Sequence, residues 1–233
     1  MNKIKTELTN GLGYVVLEKL IPEQLIDSIV NRLTEIYPVR ASSRQKKYAE
    51  KEDIKDLPDI SVWWSQMIMD WPEFEKIHKI VYPHVLTYMP DSSLYASDIV
   101  VIEPDSTWIN PHVDTPHRFK DYNYDKRLLG IQTIISLFDL NEHNGATGLV
   151  PKSQNVDFNI NFCYKGLYND FFNQSRIQPN LPKGSVLMYN CRLLHSSMPN
   201  KQKEKRPALL INYLDNSIIE TVKSLDNIWT SNN

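Results

Sequence analysis

The sequence predicts a mainly β domain with α-helical decoration. Apolar residues at helical spacing are confined to the first 90 positions, whereas positions 91–215 carry short strand-like runs bounded by Pro, Gly, Asn and Asp. Helices followed by a run of strands, without βαβ alternation, imply an antiparallel sandwich or barrel covered by helices. A chain of 233 residues and 27.2 kDa suffices for one sizeable core. The expected organisation is therefore a single domain over 1–233, with a largely helical cover at 1–90, a β core at 91–215 and a C-terminal extension at 216–233.

The first helix is expected in IPEQLIDSIVNRLTEIY, where Leu25, Ile26, Ile29, Val30, Leu33 and Ile36 recur at helical spacing and Pro22 sits where a first turn tolerates it. A second is expected in WPEFEKIHKIVYPHVLTYM, from Phe74, Ile77, Ile80, Val81 and Val85, with Pro83 kinking or interrupting it. Both should cover one face of a sheet. Between them, residues 40–56 form a polar, mixed-charge stretch that reads as a solvated or mobile loop. Strands are expected in SDIVVIEP, STWINPHVD, LLGIQTIISLFDL, ATGLVP, GSVLMYN and RPALLINYLD. No internal repeat or low-complexity tract is present.

Charge and cysteine content narrow the partners. With 26 Lys+Arg against 28 Asp+Glu, the net charge of -2 gives no electrostatic reason to expect nucleic acid or an anionic membrane surface. A small-molecule partner fits better. Two cysteines, Cys163 and Cys191, are too few for a disulfide framework, and no apolar run approaches the roughly 18 residues of a spanning helix. The N-terminus lacks the apolar core and cleavage site of a secretory signal. A soluble, cytoplasmic protein of a reducing compartment is expected, with nothing to indicate its oligomeric state.

The chemistry begins in NPHVDT, residues 110–115. On a strand, His112 and Asp114 point to one face and Val113 to the other, which makes a two-ligand claw. A His-x-Asp pair is common by chance, and a surface pair of this kind is usually only hydrogen-bonded. The third candidate is His195 in GSVLMYNCRLLHSSMPN, after a predicted strand and before a turn. Two His and one carboxylate on one face of a divalent ion leave other positions open, as non-haem Fe(II) and O2 chemistry requires. Zinc accepts the same ligands.

Arg206 lies eleven positions after His195, at the start of RPALLINYL, where a hairpin would return it alongside the His195 strand. A guanidinium there offers a fork that matches a carboxylate, and Ser197 could add a hydroxyl to the same group. A metal beside a carboxylate clamp suits a keto-acid cosubstrate. The ordinary alternative is that Arg206 is one more solvated cation of a charged turn.

PHVD, NGATGLVPKSQ, GSVLMYNCRLLHSSMPN and KRPALLINYL resemble the phytanoyl-CoA hydroxylase-like branch of the Fe(II)/2-oxoglutarate-dependent dioxygenases, over residues 90–215. The resemblance implies a double-stranded β-helix, a jelly-roll or cupin-like core. It implies iron ligation by His112, Asp114 and His195, a clamp on the distal carboxylate of 2-oxoglutarate by Arg206, and the family's His-x-Ser serine at Ser197. It also implies that O2 and 2-oxoglutarate are consumed and succinate and CO2 released as a substrate is oxidised. The chain has VPKSQ where many members have Gly-Ser-His, a loop position outside the triad. Asp114 is intact, whereas halogenating relatives replace it, so hydroxylation of a small molecule is favoured. A metal-binding or sensing domain without catalysis, and a cupin-like metalloenzyme that does not use 2-oxoglutarate, are the alternatives.

Gln132 and Thr133 in GIQTIISLF are candidates to face the cosubstrate, although alternation alone does not choose between them. His78 and His84 read as surface or packing residues of a helix. His117 is the best competitor for a role beside the substrate, and His143 could in principle replace His195 but lacks the clamp that follows it. Gly145 and Gly148 should serve the backbone of a turn. Residues 155–180 carry Phe158, Phe162, Tyr164, Tyr168, Phe171 and Phe172 and are expected to form a lid over the metal, the alternative being an aromatic cap packed on the barrel. Arg118, Lys126 and Arg127 could meet an anionic substrate from the opposite wall.

Overall fold

The computed structural model of the chain describes residues 6–36, 63–65, 68–102, 104, 111–117, 127–157 and 168–231. The polar stretch 40–56 lies outside them, as does most of the expected strand STWINPHVD before Pro111. Among the described residues the elements are β1 (Tyr14–Leu17), α1 (Glu23–Ile36), β2 (Trp63–Ser65), α2 (Pro72–Tyr88), β3 (Ser92–Ile102), β4 (Gly130–Ser136), β5 (Gly148–Leu149), α3 (Asn169–Ser175), β6 (Val186–Asn190), β7 (His195–Ser196), β8 (Arg206–Asp215) and α4 (Ile219–Ser231).

Six strands make one sheet in the order β1-β6-β4-β8-β3-β2, with every neighbouring pair antiparallel. A second, smaller layer is built from the β5–β7 pair and extended by isolated bridges from His112 to His195 and from Leu149 to Ile177. This is the mainly antiparallel, two-layer arrangement of a jelly roll with helical cover.

Central strand β4 is buried at all seven positions, so it must offer apolar side chains to both faces of the sheet. Ile131 and Ile135 enter a large core with Ile26, Ile29, Phe74, Ile77 and Val81 of α1 and α2. Ile134 points the other way, into the core between the layers with Leu149, Leu187 and Ala208. Each such buried aliphatic side chain contributes about 1.5–3 kcal/mol by leaving water, before the entropy of ordering is subtracted.

Three features depart from the sequence reading. Helix α2 continues through Pro83 to Tyr88, so the proline does not interrupt it. Pro83 is exposed, and Lys79, whose carbonyl loses a donor, is exposed too, so water can satisfy that oxygen. The region read as helical cover also supplies two edge strands, β1 and β2. The C-terminal extension contributes α4, whose Val222 joins Leu129, Leu214 and Ile218 in a buried cluster. No helix among the described residues is long and apolar enough to cross a membrane.

Candidate metal centre

His112 and His195 are opposite each other in the smaller layer and exchange both backbone hydrogen bonds. The His112 N–H donates to the His195 carbonyl at 2.9 Å, and the His195 N–H returns to the His112 carbonyl at 3.0 Å. The rings lie 4.3 Å apart, centroid to centroid. Asp114 is fixed by its own N–H, which donates to the Cys191 carbonyl at 2.8 Å. One ligand atom from each of His112, Asp114 and His195 lies within 4.8 Å of the others.

The donor set fits a divalent transition metal. His195 Nδ1 lies 2.9 Å from the Leu193 carbonyl, which can only accept, so Nδ1 is the donor and Nε2 is the nitrogen turned toward a metal. That Nε2 is 3.3 Å from Asp114 Oδ2. A metal-binding imidazole needs this tautomer.

Tyr189 completes the site, and the sequence reading did not single it out. Its hydroxyl donates to Asp114 Oδ2 at 3.1 Å, and its ring centroid is 4.8 Å from that of His195. Burial, followed by the charge of Asp114, raises its phenol well above the ordinary tyrosine value. The available signal was strand alternation: Tyr189 and Leu187 share the inward face of β6.

A cleft runs from the triad into the space between the layers, with about 450 Å³ of empty space including its open mouth. His112, Asp114, His195 and Ser197 line it on one side. Val100, Ile134 and Leu210 line it from the large sheet, and Thr147, Tyr189 and Arg206 complete it.

Arg206 is 4% exposed. Its Nε donates to the Asn144 carbonyl at 3.3 Å, and Nη2 donates to the Gly145 carbonyl. Among the described residues no carboxylate pairs with it, and desolvation lowers its pKa to about 10. The route to this position differs from the expected hairpin. β7 pairs with β5, whereas β8 pairs with β3 and β4, so the connection crosses from one layer to the other and Arg206 meets the triad across the cleft.

Of the two candidates on β4, Gln132 shares the inward face with Ile134, but its Oε1 accepts from Asn212 Nδ2 at 2.8 Å and it does not line the cleft. Thr133 is a correction. It points to the opposite face of the sheet, where its hydroxyl donates to the Ile211 carbonyl at 3.0 Å, so it cannot face a cosubstrate.

The other histidines lie apart from the ligand cluster. His143 has a side chain 66% exposed beside Glu142, and His117 is buried outside the triad. His78 stacks with Tyr82 and Tyr213 at 5.0 and 5.7 Å, and its Nδ1 is 3.0 Å from the Tyr213 hydroxyl. In the described part of residues 155–180, Phe172 is fully buried in a cluster with Val113, Val150, Leu194 and Met198. A Cβ added to Gly148 would come within 2.9 Å of the Phe172 ring, so this glycine makes room for that ring. Phe158, Phe162, Tyr164, Arg118 and Lys126 lie outside the described residues, and Arg127 is exposed.

The fold and the side-chain cluster together define a jelly-roll protein with two histidines and one carboxylate grouped so that they could hold a metal ion. The phytanoyl-CoA dioxygenase (PhyH) family model matches residues 10–208, and the chain belongs to this family. Comparison with curated protein sequences gives no match. Among solved structures, the chain is similar to the non-haem alpha-ketoglutarate-dependent carbocyclase SnoK from nogalamycin biosynthesis, at 18% identity and a TM-score of 0.67, covering 92% of this chain and 84% of that one. HygX from Streptomyces hygroscopicus, solved with nickel and 2-oxoglutarate bound, is similar at 12% identity and a TM-score of 0.68, covering 93% and 88% of the two chains. EctD from S. alaskensis, in its apoform, is similar at 15% identity and a TM-score of 0.68, covering 93% and 78%.

Proposed function

We propose that this chain is a non-haem Fe(II)- and 2-oxoglutarate-dependent oxygenase that hydroxylates a small-molecule substrate and releases succinate and CO2. The observation that carries this is Arg206, a buried guanidinium whose partners among the described residues are backbone carbonyls, in the same cleft as a His-Asp-His triad. A buried cation without an anion carries a desolvation penalty of several kcal/mol. A dicarboxylate lying along the cleft would relieve it at one end and reach the metal ligands at the other.

The residues divide the work. His112, Asp114 and His195 would hold iron, with His195 oriented by the Leu193 carbonyl. Arg206 would bind the distal carboxylate of 2-oxoglutarate through its planar fork, and Ser197, which lines the same cleft, could add its hydroxyl. Val100, Ile134 and Leu210 form an apolar wall that keeps water from the cosubstrate. When bound, iron and 2-oxoglutarate supply the oxidising chemistry, in which O2, 2-oxoglutarate and a substrate C–H become succinate, CO2 and a C–OH. The intact Asp114 keeps the third protein ligand in place, which supports hydroxylation.

The test is anaerobic reconstitution with Fe(II), followed by addition of O2, 2-oxoglutarate and a metabolite library. Succinate formation stimulated by one library member, with a product heavier by one oxygen, is expected. Protein that binds the metal but shows no 2-oxoglutarate binding by calorimetry would instead be a metal-binding domain or a different metalloenzyme.

A further inference from the structure

We infer that Tyr189 is a positioning residue for the metal, acting through Asp114. A carboxylate at the end of a short side chain can rotate, and a divalent ion can draw in one of its oxygens or both. Tyr189 restricts that choice. Its hydroxyl donates to Asp114 Oδ2 at 3.1 Å from a ring that is 1% exposed and packed 4.8 Å from the His195 ring. The ring is held by its strand: Tyr189 pairs with Tyr14 on one side and Gln132 on the other, in the interior of the large sheet. The donor therefore reaches the ligand carboxylate from a rigid element, whereas the backbone around Asp114 is held by the His112 bridge to the smaller layer and by the Asp114 N–H to the carbonyl of Cys191, one residue past β6.

One phenol thus ties the metal ligand of the small layer to the central strands of the large one. Hydrogen bonds to a ligating carboxylate set its orientation, and removing such partners typically costs about 10–100-fold in metal affinity. Tyr189 touches Asp114 and neighbours His195, so it aligns both with one side chain.

The inference rests on the metal assignment above, and its test therefore uses a metal alone, without cosubstrate or turnover. Wild-type protein and Tyr189→Phe are titrated with Co(II), with affinity and the visible d–d spectrum as readouts and thermal unfolding as the check on packing. Tyr189→Phe keeps the ring and removes only the donor. The expected result is Co(II) affinity weaker by about tenfold or more, with an altered d–d spectrum and unchanged thermal unfolding. In an Asp114→Ala background the same exchange should cause no further loss, because its target is gone. Equal affinity and identical spectra for wild type and Tyr189→Phe would overturn the inference and leave the metal site standing. An equal loss in both backgrounds would also overturn it, since the hydroxyl would then act on packing rather than on Asp114. Failure of the wild type to bind Co(II) would remove the metal assignment and this role together.

Discussion

The guanidinium of Arg206 donates to the carbonyl of Gly145, a residue held at φ +79° with the Met198 carbonyl only 2.7 Å from where a Cβ would stand. The carbonyl that steers the arginine is therefore presented by a backbone conformation and a close approach that favour glycine. Gly145→Ala should lose about 1–2 kcal/mol from left-handed strain alone, a fall of roughly 2–8 °C in Tm for a chain of this size. It should weaken 2-oxoglutarate binding and leave metal affinity intact. Scanning calorimetry and titration of the two ligands check this; an unchanged Tm would count against the strain argument.

His112→Ala, Asp114→Ala and His195→Ala should each abolish coupled turnover and sharply weaken Fe(II) binding while the chain still folds. The strands around the site are secured by the apolar cores on both faces of the sheet rather than by the triad. His143→Ala is the matched control, since its side chain is 66% exposed and outside the cluster. Wild-type iron affinity in any one of the three variants would remove that residue from the ligand set.

Phe171 and Phe172 are adjacent and should behave in opposite ways. Phe172 is fully buried with Val113, the residue between His112 and Asp114, whereas Phe171 is 43% exposed. Phe172→Ala should cost about 3–5 kcal/mol, read from urea unfolding, and should loosen metal binding as Val113 loses its support. Phe171→Ala should stay within about 0.5 kcal/mol of wild type. Comparable losses for both would show that the exposed ring also packs.

His78 introduces a pH dependence at the helix–sheet interface. Partial burial lowers its pKa below the ordinary histidine value, and it is packed against Phe74, Tyr82 and Tyr213. A folded-state pKa below the unfolded one means the unfolded chain takes up the proton first. Its contribution is therefore present above the unfolded histidine pKa of about 6.5 and is lost as pH falls through the folded value. His78→Phe should flatten the loss of stability below about pH 6, measured by denaturant unfolding across pH.

The sequence made the site more legible than its supports. His112 and Asp114 are two apart on an extended run, so alternation alone puts both side chains on one face, and His195 was recognisable by residue type after a strand. Arg206 was legible too, but the path to it was not: a polar connection between strands reads as a hairpin, and whether it crosses between layers depends on pairings remote in sequence. Thr133 and Gln132 show the limit of alternation in a strand buried on both faces, where no polar side marks the outside. Edge strands β1 and β2 escaped notice because three or four residues are too few to show a period. Tyr189 carried no motif; alternation could place it on the inward face of β6, but its 3.1 Å contact with Asp114 is visible only in the structure.

Arg206 decides between a 2-oxoglutarate enzyme and any other user of the triad. If its fork binds the distal carboxylate, Arg206→Met should raise the apparent KM for 2-oxoglutarate at least tenfold, since hydrogen bonds to charged groups contribute about 1.5–3 kcal/mol each. Fe(II) affinity should remain at the wild-type level, because the arginine lines the cleft without belonging to the ligand cluster. Burial brings its pKa down only to about 10, so the guanidinium stays protonated at neutral pH, and wild-type cosubstrate affinity should show no loss from this group until pH approaches that value. Arg206→Lys should recover part of the affinity, as one ammonium cannot reproduce the planar fork. The same burial acts more severely on an amine, whose ordinary pKa is already about 10.4, so cosubstrate binding by Arg206→Lys should weaken at lower pH than in wild type. Unchanged KM in both variants would remove the clamp and, with it, the assignment of 2-oxoglutarate, even if the iron triad stood.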